Sequence, residues 1–298
     1  MNIAKIMEHL PALARRHKLV ELFLRMSPDS AIQKVTFNDG ATLFADISDA
    51  FPRAYFLMRS FEPEFFRIAH PFLAKGGHFF DVGANFGFCS FGMMAEAAGR
   101  IEYHLFEANV DIVKILKRSM TLHPKEKISL NHCCVSDQPG VSKLKVDSKQ
   151  LGSSYISDKG DQDVTNLVLD HYIRQRGIKR IDFMKMDVEG WEPLALRGGI
   201  NSFIGGVVPA LYMELSTINL ARNKFTPWDC LDFLKAAGFS LFYCKQADFI
   251  AGVADDKKAF TLHVNGRGIR VAPLENLPEQ YQTDVLAIHE SAGWLQKK

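Results

Sequence analysis

Acidic residues follow several short apolar stretches of this sequence, and their positions indicate a site for a cationic or hydroxyl-rich ligand. The first such stretch ends in Asp81-Val82-Gly83-Ala84-Asn85-Phe86-Gly87, so an acid and two glycines stand where an apolar segment gives way to a helix. Open parallel sheets bind ligands at the carboxyl ends of their strands, beside turns of this kind. Glycine permits close backbone approach because it lacks a β-carbon. A tight packing turn is the alternative explanation for the glycines.

The spacing of these glycines distinguishes between classes of cofactor. The pattern is Gly-x-x-x-Gly, whereas a dinucleotide-binding turn carries Gly-x-Gly-x-x-Gly. The carboxylate of Asp81 would repel a pyrophosphate and attract a cation, such as the amino group of a methionine moiety. The sequence therefore argues against an NAD-dependent oxidoreductase, which remains an alternative hypothesis.

Two further acids follow the next two apolar stretches. Glu107 ends the second stretch, where a carboxylate can accept hydrogen bonds from both hydroxyls of a ribose. Ser136 and Asp137 end the third, and Asp137 could accept a hydrogen bond from an adenine amino group. Each acid has a simpler explanation, as a helix N-terminal acid for Glu107 and a turn former for Asp137. Three acids at successive strand ends are harder to attribute to turns alone.

A third group of acids lies later in the chain. Asp187 and Glu189 belong to Lys185-Met186-Asp187-Val188-Glu189-Gly190, directly after a buried strand, and Glu214 ends a fifth apolar stretch. Solvated loop acids are the alternative. The sequence has no Gly-x-Ser-x-Gly elbow, Walker loop or His-Glu-x-x-His motif, and its ten histidines show no metal-ligand spacing.

The elements that would position these acids alternate between strands and helices from residue 77 onward, which is typical of a mostly parallel α/β sheet. Before it, residues 1–30 have a loose helical stripe, and 35–37 and 41–44 flank the hairpin turn Asn38-Asp39-Gly40. We therefore divide the chain into a helix and hairpin cap at 1–60 and an α/β domain at 61–298. The predicted strands are 78–82, 101–106, 128–135, 181–186, 207–213, 238–244 and 283–289.

Composition excludes several classes of protein. The chain has 298 residues, of which 47% are apolar and 23% charged, so it can bury a sizeable core. The net charge of +2 gives no reason to expect a nucleic acid partner, and no apolar run is long enough for a transmembrane segment. Five cysteines without a Cys-x-x-Cys pair, and charges that interrupt any signal sequence, predict a cytoplasmic protein.

Six segments of the sequence share their residues with one known family. They are Asp81-Val82-Gly83-Ala84-Asn85-Phe86-Gly87, Phe106-Glu107-Ala108-Asn109, Val135-Ser136-Asp137, Gly152-Ser153-Ser154, Lys185-Met186-Asp187-Val188-Glu189-Gly190 and Asp284-Val285-Leu286-Ala287-Ile288-His289. Together they resemble the FkbM family of S-adenosylmethionine-dependent methyltransferases over roughly residues 60–290. Two positions depart from the family pattern, since Ala108 stands where the family usually has Pro and Trp191 where it often has His.

The resemblance implies a class I methyltransferase fold, which is a Rossmann-like, mostly parallel sheet of seven strands with the last strand antiparallel. It implies methyl transfer from S-adenosylmethionine to a hydroxyl, commonly on a sugar, polysaccharide or polyketide natural product. The cofactor-binding residues that it implies are Asp81, Gly83, Ala84, Asn85, Gly87, Glu107, Ala108, Ser136, Asp137 and Asp187.

Such a reaction needs a general base, because the attacking hydroxyl must lose its proton. Glu189 is the first candidate, Asp187 would face the cofactor or acceptor, and Glu214 is a weaker candidate. The same acids could instead gather Mg²⁺ or Ca²⁺, which prefer oxygen ligands, although we expect no bound metal. A non-catalytic nucleotide-binding or assembly subunit is the remaining alternative, and the retention of Asp187 and Glu189 argues against it. The acceptor's identity and the oligomeric state are not specified by the sequence.

Overall fold

The computed structural model describes residues 13–27, 30–97 and 100–295. Residues 1–12, which hold the first part of the predicted N-terminal helix, lie outside the described residues. The helices are α1 (Leu13–Met26), α2 (Ala50–Met58), α3 (Pro63–Leu73), α4 (Phe88–Ala97), α5 (Val110–Met120), α6 (Leu169–Gln175), α7 (Glu192–Gly198), α8 (Ile200–Ile204), α9 (Thr217–Arg222), α10 (Pro227–Ala236) and α11 (Gln246–Ile250). The strands are β1 (Ile32–Phe37), β2 (Ala41–Asp46), β3 (Gly77–Val82), β4 (Ile101–Glu107), β5 (Lys127–His132), β6 (Cys134–Val135), β7 (Val141–Lys145), β8 (Tyr155–Ile156), β9 (Gln162–Leu167), β10 (Phe183–Met186), β11 (Ala210–Ser216), β12 (Phe239–Tyr243), β13 (Phe260–Val264), β14 (Arg267–Pro273) and β15 (Gln282–His289).

One large sheet organises the chain, with strand order β5-β4-β3-β10-β11-β15-β12-β14-β13. The five strands from β5 to β11 are parallel, and β15 inserts antiparallel between β11 and β12. The first seven strands in this order form the predicted class I methyltransferase sheet with its last strand antiparallel, which confirms the fold class. The antiparallel hairpin β13–β14 extends the sheet to nine strands, and it occupies the segment that the sequence indicated only as a polar insert.

The sheet reverses its direction of growth between β3 and β10. The chain runs outward from β3 through β4 to β5, and then returns to place β10 on the other side of β3. A crevice opens outside the carboxyl ends of the strands at such a point, because the connections on either side diverge. Asp81, Glu107, Asp187, Glu189 and Glu214 lie at or just after the carboxyl ends of these strands.

Side chains alternate between the two faces of the sheet, so each face has its own core. On β3, Phe79 belongs to the core beneath helices α3, α4 and α5, whereas Phe80 belongs to the core on the opposite face with Tyr172. Phe183 and Met184 on β10 alternate in the same way. Burial on both faces explains why these strands read as continuous apolar stretches.

The N-terminal hairpin packs on the sheet domain and shares its core. Val35, Phe37 and Leu43 are fully buried or nearly so, in the same cluster as Phe91 of α4 and Leu116 of α5. The backbone amide of Phe44 donates to Ser119 Oγ at 2.8 Å, which fixes β2 against α5. Among the described residues, no helix is long and apolar enough to cross a membrane.

A second sheet is built from the segment after β5. It has the order β6-β9-β7-β8 and stands beside the crevice. The sequence predicted one strand over residues 128–135, but the structure divides it into β5, which stays in the large sheet, and β6, which pairs with β9. This division redirects the chain that leads to Asp137.

Gly83→Ala tests how closely the strand ends pack. A β-carbon on Gly83 would lie 1.8 Å from the backbone oxygen of Asp187, and Gly83 has a φ of +78°. Gly177 has a φ of +65° and space around it, so Gly177→Ala measures the conformational cost alone. We expect Gly177→Ala to lower the free energy of unfolding by about 1–2 kcal/mol, and Gly83→Ala by about 1–3 kcal/mol more. Urea denaturation measures both, and equal losses would show that the two loops separate freely.

Candidate active site

Two connected clefts open at the carboxyl ends of the central strands. The inner cleft has a volume of about 60 Å³ and is lined by residues that include Gly83, Glu107, Cys134, Leu144 and Trp191. The outer cleft has a volume of about 560 Å³, and residues that include Asp49, Tyr55, Lys185, Glu214 and Lys245 line it. Asn85, Gly152, Asp187 and Glu189 line both clefts. The outer cleft has the size of a small-molecule site of about 300–1,000 Å³, whereas the inner one is a narrow recess beside it.

The turn after β3 forms the floor between the clefts. The amides of Gly83 and Ala84 both donate to the carbonyl oxygen of Phe106, so the turn is held against the end of β4. Asn85 has a φ of +51°, which directs its amide to Glu107. Gly83 is required by the approach of Asp187, and a β-carbon on Gly87 would collide with the side chains of Phe91 and Leu116. Packing therefore accounts for both glycines, as the alternative in the sequence analysis allowed.

Glu107 lies where the sequence placed it, at the end of β4 and on the wall of the inner cleft. Its Oε2 accepts from the amide of Asn85 at 2.7 Å, and its Oε1 accepts from the amide of Asn109 at 2.8 Å. Burial raises the pKa of Glu107, and these two amides oppose the rise. Each oxygen retains acceptor capacity towards the cleft, since a carboxylate offers about four lone-pair sites.

Lys185 is a buried cation that the sequence analysis did not single out. Its Nζ donates to the carbonyl oxygen of Gly83 at 2.8 Å, and lies 3.2 Å from Asp187 Oδ2 and 3.8 Å from Asp81 Oδ1. Burial alone would lower the pKa of Lys185, but the charges of Asp187 and Asp81 more than offset this and raise it. A lysine within the apolar run of β10 was the available signal, because lysine is almost never fully buried unless it is paired.

Asp81 lies beneath the turn rather than on the surface of either cleft. It is completely buried, and its Oδ2 accepts from Ser90 Oγ at 2.6 Å. Burial raises its pKa, and Lys185 opposes the rise. The contact with the cofactor's amino group stays a prediction that this geometry does not support. Asp81 instead contacts Lys185 from below.

The predicted adenine contacts are also displaced. Ser136 and Asp137 line neither cleft, because β6 turns into the small sheet and carries them past the crevice. Gly87 also lines neither cleft, whereas Ala84 lines the outer one and Ala108 the inner one. The inner wall is instead apolar, with Cys134 and Leu144 packed together with Ala108 and Trp191. These contacts were hidden from sequence reasoning because they join segments that are distant along the chain.

Three carboxyl groups lie close together here. Asp187 and Glu189 face the junction of the two clefts, and Glu214 faces the outer cleft. Glu189 Oε2 accepts from Asn219 Nδ2 at 2.8 Å and lies 3.6 Å from Arg222 Nη1. Burial and the nearby charge of Asp187 raise the pKa of Glu189 to about 7. The charge of Asp187, followed by burial, raises the pKa of Glu214 to about 10. The charge of Asp187 thus helps to raise the pKa of both glutamates.

A hydrogen-bonded cation and carboxylate lie farther along the outer cleft. Lys245 Nζ and Asp284 Oδ2 are 2.5 Å apart, and the Tyr212 hydroxyl donates to the same oxygen at 2.9 Å. Asp284 stands opposite Glu214 in the pairing of β11 with β15, so Lys245 offsets a juxtaposition of two acids. The sequence analysis missed Tyr212 and Lys245 as site residues, and nothing in their local sequence marks them.

Glu192 supports the loop that carries Asp187 and Glu189. It is buried, and its Oε1 accepts from the amides of Val188 at 3.0 Å and Gly190 at 3.3 Å. These bonds stabilise the positive φ of 55° at Glu189, which directs that side chain to the cleft junction. Burial raises the pKa of Glu192 from 4.5 to about 7.

Glu192→Gln tests this burial through the pH dependence of stability. The folded state holds the Glu192 proton up to about pH 7 and the unfolded state only up to about 4.5, so wild-type stability falls as the pH rises through this window. Glutamine accepts the same amide bonds and cannot ionise. We expect Glu192→Gln to equal the wild type at pH 4.5 and to exceed its free energy of unfolding by about 1–3 kcal/mol at pH 8. Glu192→Ala, which loses the acceptor, should be less stable at both values.

Denaturation curves at the two pH values measure these differences. Glu189 and Glu214 titrate in both proteins, and the difference therefore reports Glu192 together with the effect of its charge on the pKa of Glu189. A constant difference between Glu192→Gln and the wild type across this range would contradict the raised pKa.

The family described as "Methyltransferase FkbM domain" matches residues 81–241, which include Gly83, Glu107 and Asp187 of the inner cleft. No curated protein matches the chain significantly. The solved structures that resemble the chain include three methyltransferases. They are a SAM-dependent O-methyltransferase of Thermotoga maritima (10% identity, 86% of this chain and 77% of that one, TM-score 0.38), precorrin-6y C5,15-methyltransferase of Geobacter metallireducens (8%, 75% and 87%, 0.37) and human methyltransferase 10 domain containing protein (9%, 76% and 82%, 0.36).

Proposed function

The chain belongs to the FkbM methyltransferase family, and we propose that it transfers the methyl group of S-adenosylmethionine to a hydroxyl oxygen of a saccharide or natural-product acceptor. Methyl transfer with S-adenosylmethionine as cofactor follows from the family. The hydroxyl and the acceptor class are the proposed parts. The observation that carries them is the meeting of the two clefts at Asp187 and Glu189, where carboxylates are available to take a proton.

The residues that line the inner cleft suit the cofactor. Its apolar wall, with Ala108, Leu144 and Trp191, suits an adenine, and the indole Nε1 of Trp191 is buried without a hydrogen-bond partner in the protein. Glu107, which also lines the inner cleft, would accept the ribose hydroxyls. When bound, S-adenosylmethionine supplies an electrophilic methyl group. The residues of the inner cleft bind and orient it, and those at the junction with the outer cleft face the reacting centre.

The outer cleft is proposed to hold the acceptor. Asp49, Phe51 and Tyr55 from α2 and its cap line it, although they precede the residues that the family matches. Tyr212 and Lys245 line the cleft from the other side. Aromatic rings combined with hydrogen-bonding groups suit a hydroxyl-rich molecule with apolar faces. Acceptor choice would accordingly depend on residues outside the family's matched segment, such as Asp49, Tyr55 and Lys245, as well as on residues within it.

Glu189 is the proposed general base. A base works best when its pKa is near the working pH, and the pKa of Glu189 is about 7. The raised pKa of Glu214, about 10, keeps that carboxyl protonated at neutral pH, so it would donate a hydrogen bond to the acceptor rather than remove a proton. Asp187 is held by Lys185 and is proposed to orient the reacting groups.

A cation at Asp187, Glu189 and Glu214 is the competing mechanism. Among the described residues, the one group of three side chains with metal-binding atoms within 4.8 Å of one another does not include these acids. The ammonium of Lys185, 3.2 Å from Asp187, would also repel a cation. We therefore propose a base without a metal. Activity that is lost with chelator and restored by Mg²⁺ would overturn this choice.

The acceptor class can be tested by labelling. The protein, S-adenosylmethionine with a labelled methyl group, and fractionated cell extract should give labelled saccharide or natural product. The label should survive mild base, which releases methanol from methyl esters but leaves ethers intact. Reactions without protein and with Glu189→Gln are the controls. Base-labile label would contradict a hydroxyl acceptor, and label in protein or nucleic acid alone would contradict a saccharide or natural product as the acceptor.

Glu189→Gln tests the proposed base in an assay whose substrate is the extract fraction that accepts label. We expect turnover to fall by about 10²–10⁴, because proton transfer is lost, while calorimetry with S-adenosylhomocysteine shows nearly unchanged affinity. Glu107→Gln is the contrasting variant. In this variant an NH₂ group replaces one of the two carboxylate oxygens that accept from backbone amides and face the cleft. The binding free energy for S-adenosylhomocysteine should therefore weaken by about 1–3 kcal/mol. Full turnover of Glu189→Gln would remove this residue from catalysis.

The pH dependence tests the same assignment independently. Glu189 must be ionised to act, so turnover should rise about tenfold per pH unit below about pH 7 and then level off. Arg222 stabilises the carboxylate from 3.6 Å, and Arg222→Gln should therefore shift this limb to higher pH. A limb at the same pH in both proteins would indicate that another group is the base.

A further inference from the structure

Three potential metal ligands share one face of the sheet near the amino ends of β3 and β4. In the pairing of these strands, His78 lies opposite Glu102, and Phe80 lies opposite His104. Side chains two residues apart point to the same face of a strand, so His78, Glu102 and His104 come together there. The sequence analysis found no metal-ligand spacing because His78 comes from β3, whereas Glu102 and His104 come from β4.

The distances suit a single ion. His78 Nδ1 and His104 Nε2 are 3.1 Å apart, and His78 Nδ1 is 3.9 Å from Glu102 Oε2. All three ligand atoms lie within 4.8 Å of one another. Two nitrogens bound to one Zn²⁺ at about 2.0–2.1 Å are separated by roughly 3.3 Å in a tetrahedral site. The imidazoles therefore already stand near the separation that coordination requires, and only the glutamate must move inward.

Access and freedom of movement are provided on the exposed side. The side chains of His78 and Glu102 are 27% and 43% exposed, whereas His104 is buried. The other oxygen of Glu102, Oε1, binds Lys127 Nζ at 2.7 Å, and the lysine side chain is 70% exposed. Lys127 can therefore swing into solvent when a divalent ion takes its place beside the carboxylate.

A hydrogen bond orients the buried ligand. The Tyr172 hydroxyl lies 2.8 Å from His104 Nδ1, and Asn131 Nδ2 lies 3.4 Å from the same hydroxyl. Histidine ligands in metal sites generally use their second ring nitrogen in this way, which fixes the ring and its tautomer. Tyr172 leaves Nε2 of His104 directed at His78. The arrangement thus includes a positioning residue as well as the three ligands.

We propose that His78, Glu102 and His104 bind one divalent transition-metal ion, with Zn²⁺ as the representative. Two imidazoles and one carboxylate are donors that suit Zn²⁺ and its neighbours rather than Mg²⁺ or Ca²⁺. The site is separate from the clefts. His78 and Glu102 lie five residues before Gly83 and Glu107, about 17 Å along the strands. Bound metal would join β3 to β4 and, through Tyr172, would fix α6 against the sheet.

The proposal is tested by calorimetric titration of the whole protein with Zn²⁺ and by the absorption spectrum of the Co²⁺ complex. We expect one ion per chain and the intense visible bands of a tetrahedral site. His78→Ala and Glu102→Gln should each weaken binding roughly tenfold or more. Tyr172→Phe keeps the ring packing but loses the hydroxyl, and should weaken binding about 10–100-fold. His171→Ala removes an exposed histidine outside the group and is the matched control.

The result that would overturn the proposal is Zn²⁺ binding of equal strength in the wild type, His78→Ala and Glu102→Gln, because the ion would then bind other histidines. An absence of binding at millimolar Zn²⁺ would overturn it as well. Affinity for S-adenosylhomocysteine should be the same with and without Zn²⁺. This metal site and the proposed methyl transfer therefore stand or fall separately.

Discussion

The buried ammonium of Lys185 is the interaction on which the rest of the active site depends. A cation without solvent must be neutralised and hydrogen-bonded, since an uncompensated buried charge is strongly destabilising. Asp81, Asp187 and the carbonyl oxygen of Gly83 provide these partners. They belong to β3, to the turn after it and to the loop after β10. The single lysine consequently holds together the strand ends between which the crevice opens, at the point where the sheet changes direction.

This constraint explains the composition of the turn. The loops after β3 and β10 must approach each other to share Lys185, and their contact leaves no space for a β-carbon at Gly83. The same approach brings Asp187 close to Glu189 and Glu214, whose pKa values it raises. Close packing at the strand ends therefore contributes to the raised pKa values of both glutamates. The proposed reaction needs a base near neutral pH, and burial together with the crowding of carboxyl groups would provide it here.

Local sequence was sufficient to predict the seven core strands of the large sheet and several of the acids at their ends, but not the hairpin β13–β14 or the small sheet. Apolar stretches, glycines and helix caps are encoded over a few residues, and Glu107, Asp187 and Glu189 line the clefts as the strand ends suggested. The contacts of Asp81 and Asp137 were not accessible in this way. Asp81 is covered by a lysine more than a hundred residues away, and Asp137 is displaced because β6 leaves the large sheet for β9. Both outcomes depend on pairings that are non-local, which periodicity does not report.

The two ends of the central strands have different physical roles, and this division follows from their surroundings. At the carboxyl ends, diverging connections leave an open crevice, and the acids there remain partly solvated and able to exchange protons. At the amino ends, His104 is enclosed by Phe80 and Tyr172, and its partners His78 and Glu102 are bound to fixed positions by the strand pairing. Two imidazoles and one carboxylate on paired strands suit the proposed metal ion, whereas the crowded carboxyls at the other end, with their raised pKa values, suit the proposed proton transfer. Because the two sets lie at opposite ends of one sheet, strand alternation and strand polarity together determine which chemistry each end can support.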